Sequence, residues 1–171
     1  MYASDVTRQA VARASERLGF DLTYHPREQI QAARSLLDTL VDIERGGLKR
    51  NLAPDEQRFI TNERSLCALD FRYYLSYCQI INWKKEEQTF TPNVAQSMLL
   101  EIWADLERQA RAIHILELKA RRLGVSTLSE LAIAHRVQFH RFTNAVVASA
   151  DPTKSVVMAD IIDFCWKRMP W

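Results

Sequence analysis

The sequence predicts an α/β protein, with a mainly helical N-terminal region at residues 1–84 and the beginning of a parallel-sheet domain at residues 85–171. Three observations lead to this fold class. Glycine and proline are scarce, with 4 and 5 residues among 171, which favours helix over most of the chain. Apolar positions recur at helical spacing up to about residue 112. After that point, two short apolar, partly β-branched runs alternate with two helical segments, which is the order of a parallel layer.

Four helices are expected before residue 84. The first spans residues 4–18 and stops at Gly19, and the second spans residues 26–45 and stops at a glycine pair. Pro54 opens a short third helix. The fourth helix, residues 65–81, has a dense apolar face, and its aromatic side chains are assigned to core packing: Phe71, Tyr73, Tyr74 and Tyr77.

The stretch "KKEEQTFTPN" predicts a turn before the second region. A long helix is expected after it, with Thr91 as N-cap and Pro92 as its first residue. Two strands and two helices should then alternate: a strand at Ile113–Ala120, a helix at 126–141, a strand at Asn144–Ala150 and a helix up to about Arg168. A sheet of two parallel strands leaves both edges unpaired. The chain is therefore expected to be the first part of a larger protein.

Composition excludes several classes of protein. The net charge of +2 is too small to indicate a polyanionic partner by itself. The three cysteines form no C-x-x-C pair, so neither a disulfide framework nor a structural zinc site is indicated, and they are interpreted as small core hydrophobes: Cys67, Cys78 and Cys165. The chain contains no secretory signal and no long apolar run, which predicts a soluble intracellular protein.

The stretch "ILELKARRLGVSTLSE" has the outline of a phosphate loop between a strand and a helix. In the G-x-x-x-x-G-K-[ST] frame, Gly124 is the second glycine and Ser126 supplies the Mg²⁺ hydroxyl. Val125 occupies the lysine position, whereas Lys119 occupies the first glycine position, from which a lysine can still reach the β- and γ-phosphates. An ordinary β-α turn with solvated arginines explains the same pattern equally well.

The string "LKARRLGVSTL" resembles the variant Walker A motif of the large terminase subunits of tailed bacteriophages. In that motif, the pattern K-x-R-Q/R-x-G-x-S-T moves the lysine to the front of the loop. The matching residues here are Lys119, Arg121, Arg122, Gly124, Ser126 and Thr127.

A second stretch, "FTPNVAQSMLL", resembles the adenine-recognising glutamine element of the same family. Its aromatic-x-Pro segment is Phe90 to Pro92, and its glutamine is Gln96. A glutamine amide offers both a donor and an acceptor to the adenine edge. Without the phosphate loop, Gln96 is better interpreted as a solvated helix residue.

The resemblance implies the N-terminal part of an ASCE-type P-loop ATPase that binds ATP and Mg²⁺. It implies that Gln96 recognises adenine, and that the loop that includes Val125, together with Thr127, binds the phosphates. It also implies that Lys119 neutralises phosphate charge, that Arg121 or Arg122 assists in the transition state and that Ser126 coordinates Mg²⁺. The implied partners are double-stranded DNA, a portal protein, a terminase small subunit and further copies in a ring. The implied location is the host cytoplasm at the procapsid, with no membrane contact.

Features that complete such a motor are missing from this sequence. It has no apolar strand ending in Asp-Glu, no coupling motif and no nuclease domain. Asp160 and Asp163 are assigned to a solvated helix face. The chain alone is therefore expected to bind ATP weakly or undetectably and not to turn it over.

Two other functions remain open. One is a non-enzymatic helical interaction module in which the loop binds nothing, and the other is a fragment of a helicase-like ATPase. The displaced lysine argues against the helicase, because helicases keep the lysine next to the Ser/Thr. The histidines are not interpreted as metal ligands: His114 is assigned a structural role, and His135 and His140 surface or packing roles.

Overall fold

The computed structural model describes residues 5–42, 47–115, 123–149 and 151–170. In these ranges the chain is mostly helical, as predicted, with seven α-helices and two antiparallel hairpins. In chain order the elements are α1 (Asp5–Leu18), α2 (Arg27–Leu40), β1 (Val41–Asp42), β2 (Gly47–Leu48), α3 (Pro54–Leu69), α4 (Phe71–Leu75), β3 (Gln79–Ile81), β4 (Glu87–Thr89), α5 (Val94–Arg108), α6 (Val125–Phe139) and α7 (Pro152–Trp166).

Helix α1 ends where the sequence predicts, but α2 is shorter than expected. Gly19 terminates α1 with a left-handed φ of +74° and donates its amide to Ser15 O at 3.0 Å. The prediction that α2 continues to residue 45 is wrong. At Val41 the backbone is extended, and this residue pairs with Leu48 in the first hairpin.

The boundaries of the next helices also differ from the prediction. Helix α3 is one continuous helix from Pro54 to Leu69, not a short helix followed by a new one at Ser65. The break falls at Asp70, whose carboxylate accepts from the amides of Arg72 and Tyr73 at 2.9 and 3.2 Å and so caps α4. Residues 79–81, predicted as helix, form strand β3 and pair with β4 in an antiparallel hairpin.

Helix α5 starts later than predicted. Its N-cap is Asn93, and its first helical residue is Val94, not Pro92. The predicted cap, Thr91, instead accepts a hydrogen bond from Arg27 Nη2 at 2.5 Å. Its side chain therefore fixes α2 to the start of α5 and takes no part in capping.

The predicted parallel strands are not formed in the described ranges. Residues 113–115 and 144–149 have no strand structure, and both sheets of the described chain are antiparallel hairpins. A strand needs a neighbouring strand and a packed face, whereas the Val146 side chain is 87% exposed. Residues 116–120 and Ala150 lie outside the described residues.

The last two helices follow the prediction closely. Helix α6 occupies most of the predicted segment 126–141, and α7 begins after Asp151, whose carboxylate accepts from Thr153 N at 3.0 Å. The two helices pack against each other, and α6 also packs against α4 and α5.

The hydrophobic core supports two of the sequence interpretations. The three cysteines are buried and free, and Tyr73, Tyr74 and Tyr77 are buried, with Phe71 packed against the same cluster. The core contains residues from both sides of position 84, from Ala14 to Met169. The division into two regions at residue 84 stays a prediction. None of the described helices is both long and apolar enough to cross a membrane.

Candidate nucleotide site

The N-termini of α5 and α6 lie side by side, so two of the predicted elements meet. Gln96 donates from Nε2 to Gly124 O at 2.7 Å, across 28 residues of sequence. Asn93 donates from Nδ2 to Leu123 O at 3.1 Å. The glutamine element is therefore joined to the C-terminal half of the predicted phosphate loop.

The glycine in this junction is required by both its conformation and its surroundings. Gly124 is the N-cap of α6 and has a left-handed φ of +71°. A Cβ atom at this position would lie 2.7 Å from Gln96 Nε2. An alanine here would therefore be strained and would displace the glutamine amide.

The first turn of α6 holds the remaining described loop residues. Val125 is buried in the core, Thr127 is half-buried and Ser126 is exposed. Amides of a first helical turn have no acceptor within the helix, so they favour an anion in front of them. Packing explains why position 125 carries a valine, since a lysine there would bury its charge.

Both the oxygen and the nitrogen of the Gln96 side-chain amide are hydrogen-bonded inside the protein. Besides its bond to Gly124, its Oε1 accepts from Asn93 N at 2.9 Å, and its own backbone amide donates to Asn93 Oδ1 at 3.0 Å. The side chain is 4% exposed. To contact an adenine, Gln96 would have to release part of this capping box.

The predicted cations of the loop, Lys119, Arg121 and Arg122, lie outside the described residues, so their roles stay predictions. Within the described ranges, no group of three or more His, Cys, Asp and Glu side chains is placed to hold a metal ion. The Ser126 hydroxyl is exposed at the start of α6. Asp160 and Asp163 are exposed on α7, as predicted, and Asp163 pairs with Lys167 at 2.7 Å.

A cavity of about 680 Å³ lies beside the aromatic-x-Pro segment. Phe90 and Pro92 line it together with Tyr24, Tyr73 and Arg27. Arg27 makes no ion pair with a carboxylate of the described residues, so its charge remains available at the cavity. An apolar cavity with aromatic walls and a cation has the character of a small-molecule site.

The structure also contains a buried carboxylate that sequence reasoning missed. Glu63 is fully buried on α3. Its Oε2 accepts from the hydroxyls of Tyr73, at 2.7 Å, and Tyr77. Its Oε1 accepts from Asn62 Nδ2 at 2.7 Å and lies 3.1 Å from His25 Nε2. The four neighbours satisfy the carboxylate, and the His25 contact joins the segment between α1 and α2 to α3.

A second missed carboxylate, Glu130, is buried on α6 without a hydrogen-bond partner among the described residues. Burial raises the pKa of its carboxyl to about 7. Glu130 is one helical turn after Ser126, on the same side of the helix. Because its pKa is close to 7, both the protonated and the charged form of Glu130 are present at neutral pH.

The histidines take packing or surface positions. His135 is buried, and its Nε2 lies 2.8 Å from Cys67 O, which requires the nitrogen to be the donor. Burial lowers the pKa of His135 to about 4, so the ring is neutral at physiological pH. His114 is exposed and lies in no strand, so the expected start of a strand is wrong there.

The chain was compared with known proteins at the levels of family, sequence and structure. No protein family model, curated protein or solved structure matches it.

Proposed function

We propose that the chain is the nucleotide-binding part of an ATP-driven DNA-packaging motor of the terminase large subunit type. The hydrogen bond between Gln96 and Gly124 carries this proposal. It joins the two stretches that resemble that family, and an ATP site needs both in one place. An accidental match to either stretch gives no reason for them to meet.

In the proposed complex, different parts of the site contact the base and the phosphates of the nucleotide. The base occupies the cavity beside Phe90 and Pro92, where aromatic side chains can contact its faces. Gln96 does not line this cavity and reaches the adenine edge only if its side chain leaves the capping box. The phosphates lie in front of the first turn of α6, and Ser126 supplies a hydroxyl to Mg²⁺. The proposed cations of the phosphate site are Lys119, Arg121 and Arg122, as the resemblance implies.

The remaining properties of such a motor belong to the same proposal. A parallel P-loop sheet would require partner strands for residues 113–120 and 144–150 and is not part of the described structure. Double-stranded DNA, a portal protein, a terminase small subunit and a ring of identical subunits are the proposed partners. The proposed place of action is the procapsid in the host cytoplasm.

Titration of the isotope-labelled chain with millimolar Mg²⁺-ATP, followed by amide NMR spectra, tests the proposal. We expect weak binding that shifts the amide signals of Gly124, Ser126 and Thr127, without ATP turnover. The Lys119→Ala variant should lose these shifts, and the exposed Lys154→Ala variant on α7 should keep them. Because millimolar ATP populates a site too weak for detection at lower concentrations, unshifted α6 amides in the unmodified chain would refute the nucleotide site.

In a complete motor, the same lysine is expected to matter for chemistry. Removal of one transition-state charge contact costs about 3 kcal/mol, or about a hundredfold in rate. Lys119→Ala should therefore lower ATP hydrolysis by at least that factor, while Val125→Ala should have little effect. A larger loss at Val125 would contradict the displaced-lysine assignment.

The second candidate function is a helical interaction module that binds no nucleotide. The observation in its favour is the Gln96 side chain, which is 4% exposed and has both ends of its amide bonded within the protein. A glutamine whose only role is to cap the start of the helix would make these same hydrogen bonds. The NMR titration separates the two functions, because an interaction module leaves the α6 amides unshifted.

A further inference from the structure

The turn between β3 and β4 presents a tryptophan to solvent. Trp83 is 87% exposed at the tip of this hairpin, next to Lys84 and Lys85. Large aromatic side chains are usually buried, because each removes a large apolar area from water. An isolated tryptophan between polar neighbours contributes nothing to the core.

The tip is held in a defined conformation by Asn82. Its Oδ1 accepts from the amides of Lys84 and Glu86 at 2.8 and 3.0 Å, and its Nδ2 donates to Glu86 Oε2 and Gln88 Oε1, both at 3.1 Å. Lys85 adopts a left-handed φ of 64° and donates its amide to Asn82 O at 3.0 Å. The backbone that carries Trp83 is therefore fixed.

The base of the hairpin is also fixed to the body of the protein. Phe90 N donates to Cys78 O at 2.8 Å, and Gln79 Nε2 donates to Thr89 Oγ1 at 2.9 Å. On the outer strand, Glu87 pairs with Arg168 at 2.7 Å. The tip projects from a supported strand pair and not from a loose loop.

The charges at the tip favour an anionic partner. The ammonium of Lys84 lies 5.4 Å from the centre of the Trp83 ring. Within the described ranges, neither Lys84 nor Lys85 pairs with a carboxylate, whereas both nearby glutamates are engaged, Glu86 by Asn82 and Glu87 by Arg168. Arg168 neutralises Glu87, whereas the neutral Asn82 amide leaves the Glu86 charge in place. The two lysines that follow the exposed ring therefore outnumber the one unpaired glutamate at the tip.

We propose that this hairpin tip binds single-stranded nucleic acid. Trp83 stacks on an unpaired base, and Lys84 and Lys85 contact the neighbouring phosphates. Aromatic stacking combined with cations along the backbone is the usual chemistry of single-strand binding. Paired bases of a duplex present no free face to the ring, and one tryptophan with few apolar neighbours gives little area for a lipid surface.

Fluorescence anisotropy with a labelled oligothymidine of about 20 nucleotides tests this proposal, since that length exceeds one binding site. Trp83→Ala should weaken binding by about 5- to 150-fold, which corresponds to the loss of one stacked base. Trp166→Ala is the matched control, because Trp166 is 49% exposed and lies beside Lys167, which is paired with Asp163. This variant should bind like the unmodified chain.

The lysines are tested by the salt dependence of the same binding. Replacing both, Lys84→Gln with Lys85→Gln, should reduce the slope of log affinity against log salt by about 1.4, since each phosphate contact on a single strand contributes about 0.7. Thermal melts of all variants verify that they fold. An unchanged slope would show that the lysines do not meet phosphates.

Two further ligands separate stacking from its alternatives. On an abasic oligomer, which keeps the phosphates and lacks bases, Trp83→Ala should have no effect. Duplex DNA should bind more weakly than the single strand. The proposal is overturned if Trp83→Ala leaves oligothymidine binding unchanged, or if the substitution instead abolishes binding to vesicles of phosphatidylcholine and phosphatidylserine. All measurements omit ATP, so their outcome is independent of the nucleotide site.

Discussion

Gly124 and Gly19 show how one residue type can serve two different needs. Both adopt a left-handed φ, +71° and +74°. A Cβ at Gly19 would meet nothing within 4 Å, whereas a Cβ at Gly124 would lie 2.7 Å from Gln96 Nε2. Gly19→Ala should therefore show only the backbone cost of about 1–2 kcal/mol. Gly124→Ala should cost about 1 kcal/mol more, because the Gln96 hydrogen bond is lost as well.

Urea unfolding of both variants measures this difference. The double variant Gln96→Ala with Gly124→Ala is the test of mechanism. If the extra cost arises from the Gln96 contact, the two substitutions should be less than additive. Full additivity would show that the side chain of Gln96 is not the obstacle.

At the scale of elements, Arg34 joins three parts of the fold. It lies on α2, donates from Nη1 to Tyr77 O after α4 at 2.5 Å, and donates from Nη2 to Arg168 O after α7. Arg34→Met should destabilise the protein by about 1–3 kcal/mol, because the bonds from a charged donor to two carbonyls are lost. Hydrogen exchange at the end of α7 should also become faster.

Arg17→Met is the matched control, since Arg17 is exposed on α1. It should leave both the free energy of unfolding and the exchange rates near α7 unchanged. If Arg34→Met behaved in the same way, the side chain would not be what holds these elements together.

At the scale of the whole molecule, Glu130 and His135 give opposite pH dependences. Glu130 has a pKa raised from 4.5 to about 7, so its folded form holds an extra proton between those values and stability falls as pH rises through that window. His135 has a pKa lowered from 6.5 to about 4, so stability falls as pH falls through that window. Where the windows overlap, the two slopes oppose each other.

The Glu130→Gln variant separates the two contributions. Relative to the unmodified chain, its stability should be about equal near pH 4 and greater by about 1–3 kcal/mol at pH 8, where the buried charge costs most. Urea unfolding across this pH range measures the difference. The control is Glu16→Gln, at an exposed position on α1, which should show no pH-dependent difference in stability. If the stability difference between Glu130→Gln and the unmodified chain did not change with pH, the Glu130 carboxyl would not be desolvated.

The elements that the sequence predicts correctly are those that local chemistry determines. The end of α1 at Gly19 and the starts of α3 and α7 at prolines follow from backbone preferences of single residues. The described part of the second apolar run, residues 144–149, is not a strand, because strand formation depends on a partner that no local pattern specifies. The end of α2 was missed for the same reason, since Val41 is drawn into the pairing with Leu48.

The candidate site was only partly accessible from the sequence. The meeting of Gln96 and Gly124 was implied by the resemblance, and the Asn93-x-x-Gln96 spacing of a capping box was a readable indication of the cap. The buried carboxylates Glu63 and Glu130 gave no such indication. Whether a carboxylate is buried depends on residues from distant parts of the chain, as the His25 contact to Glu63 illustrates.

The bond between Arg34 and Arg168 has a consequence for biosynthesis. The two residues are 134 positions apart, and ribosomes add about 5–20 residues per second, so the acceptor is made on the order of ten seconds after the donor. Until then, the Tyr77 carbonyl is the one acceptor of Arg34 described above that has been synthesised, so α2 cannot complete its contact with the end of α7. Completion of this fold is thus delayed until translation reaches the end of α7.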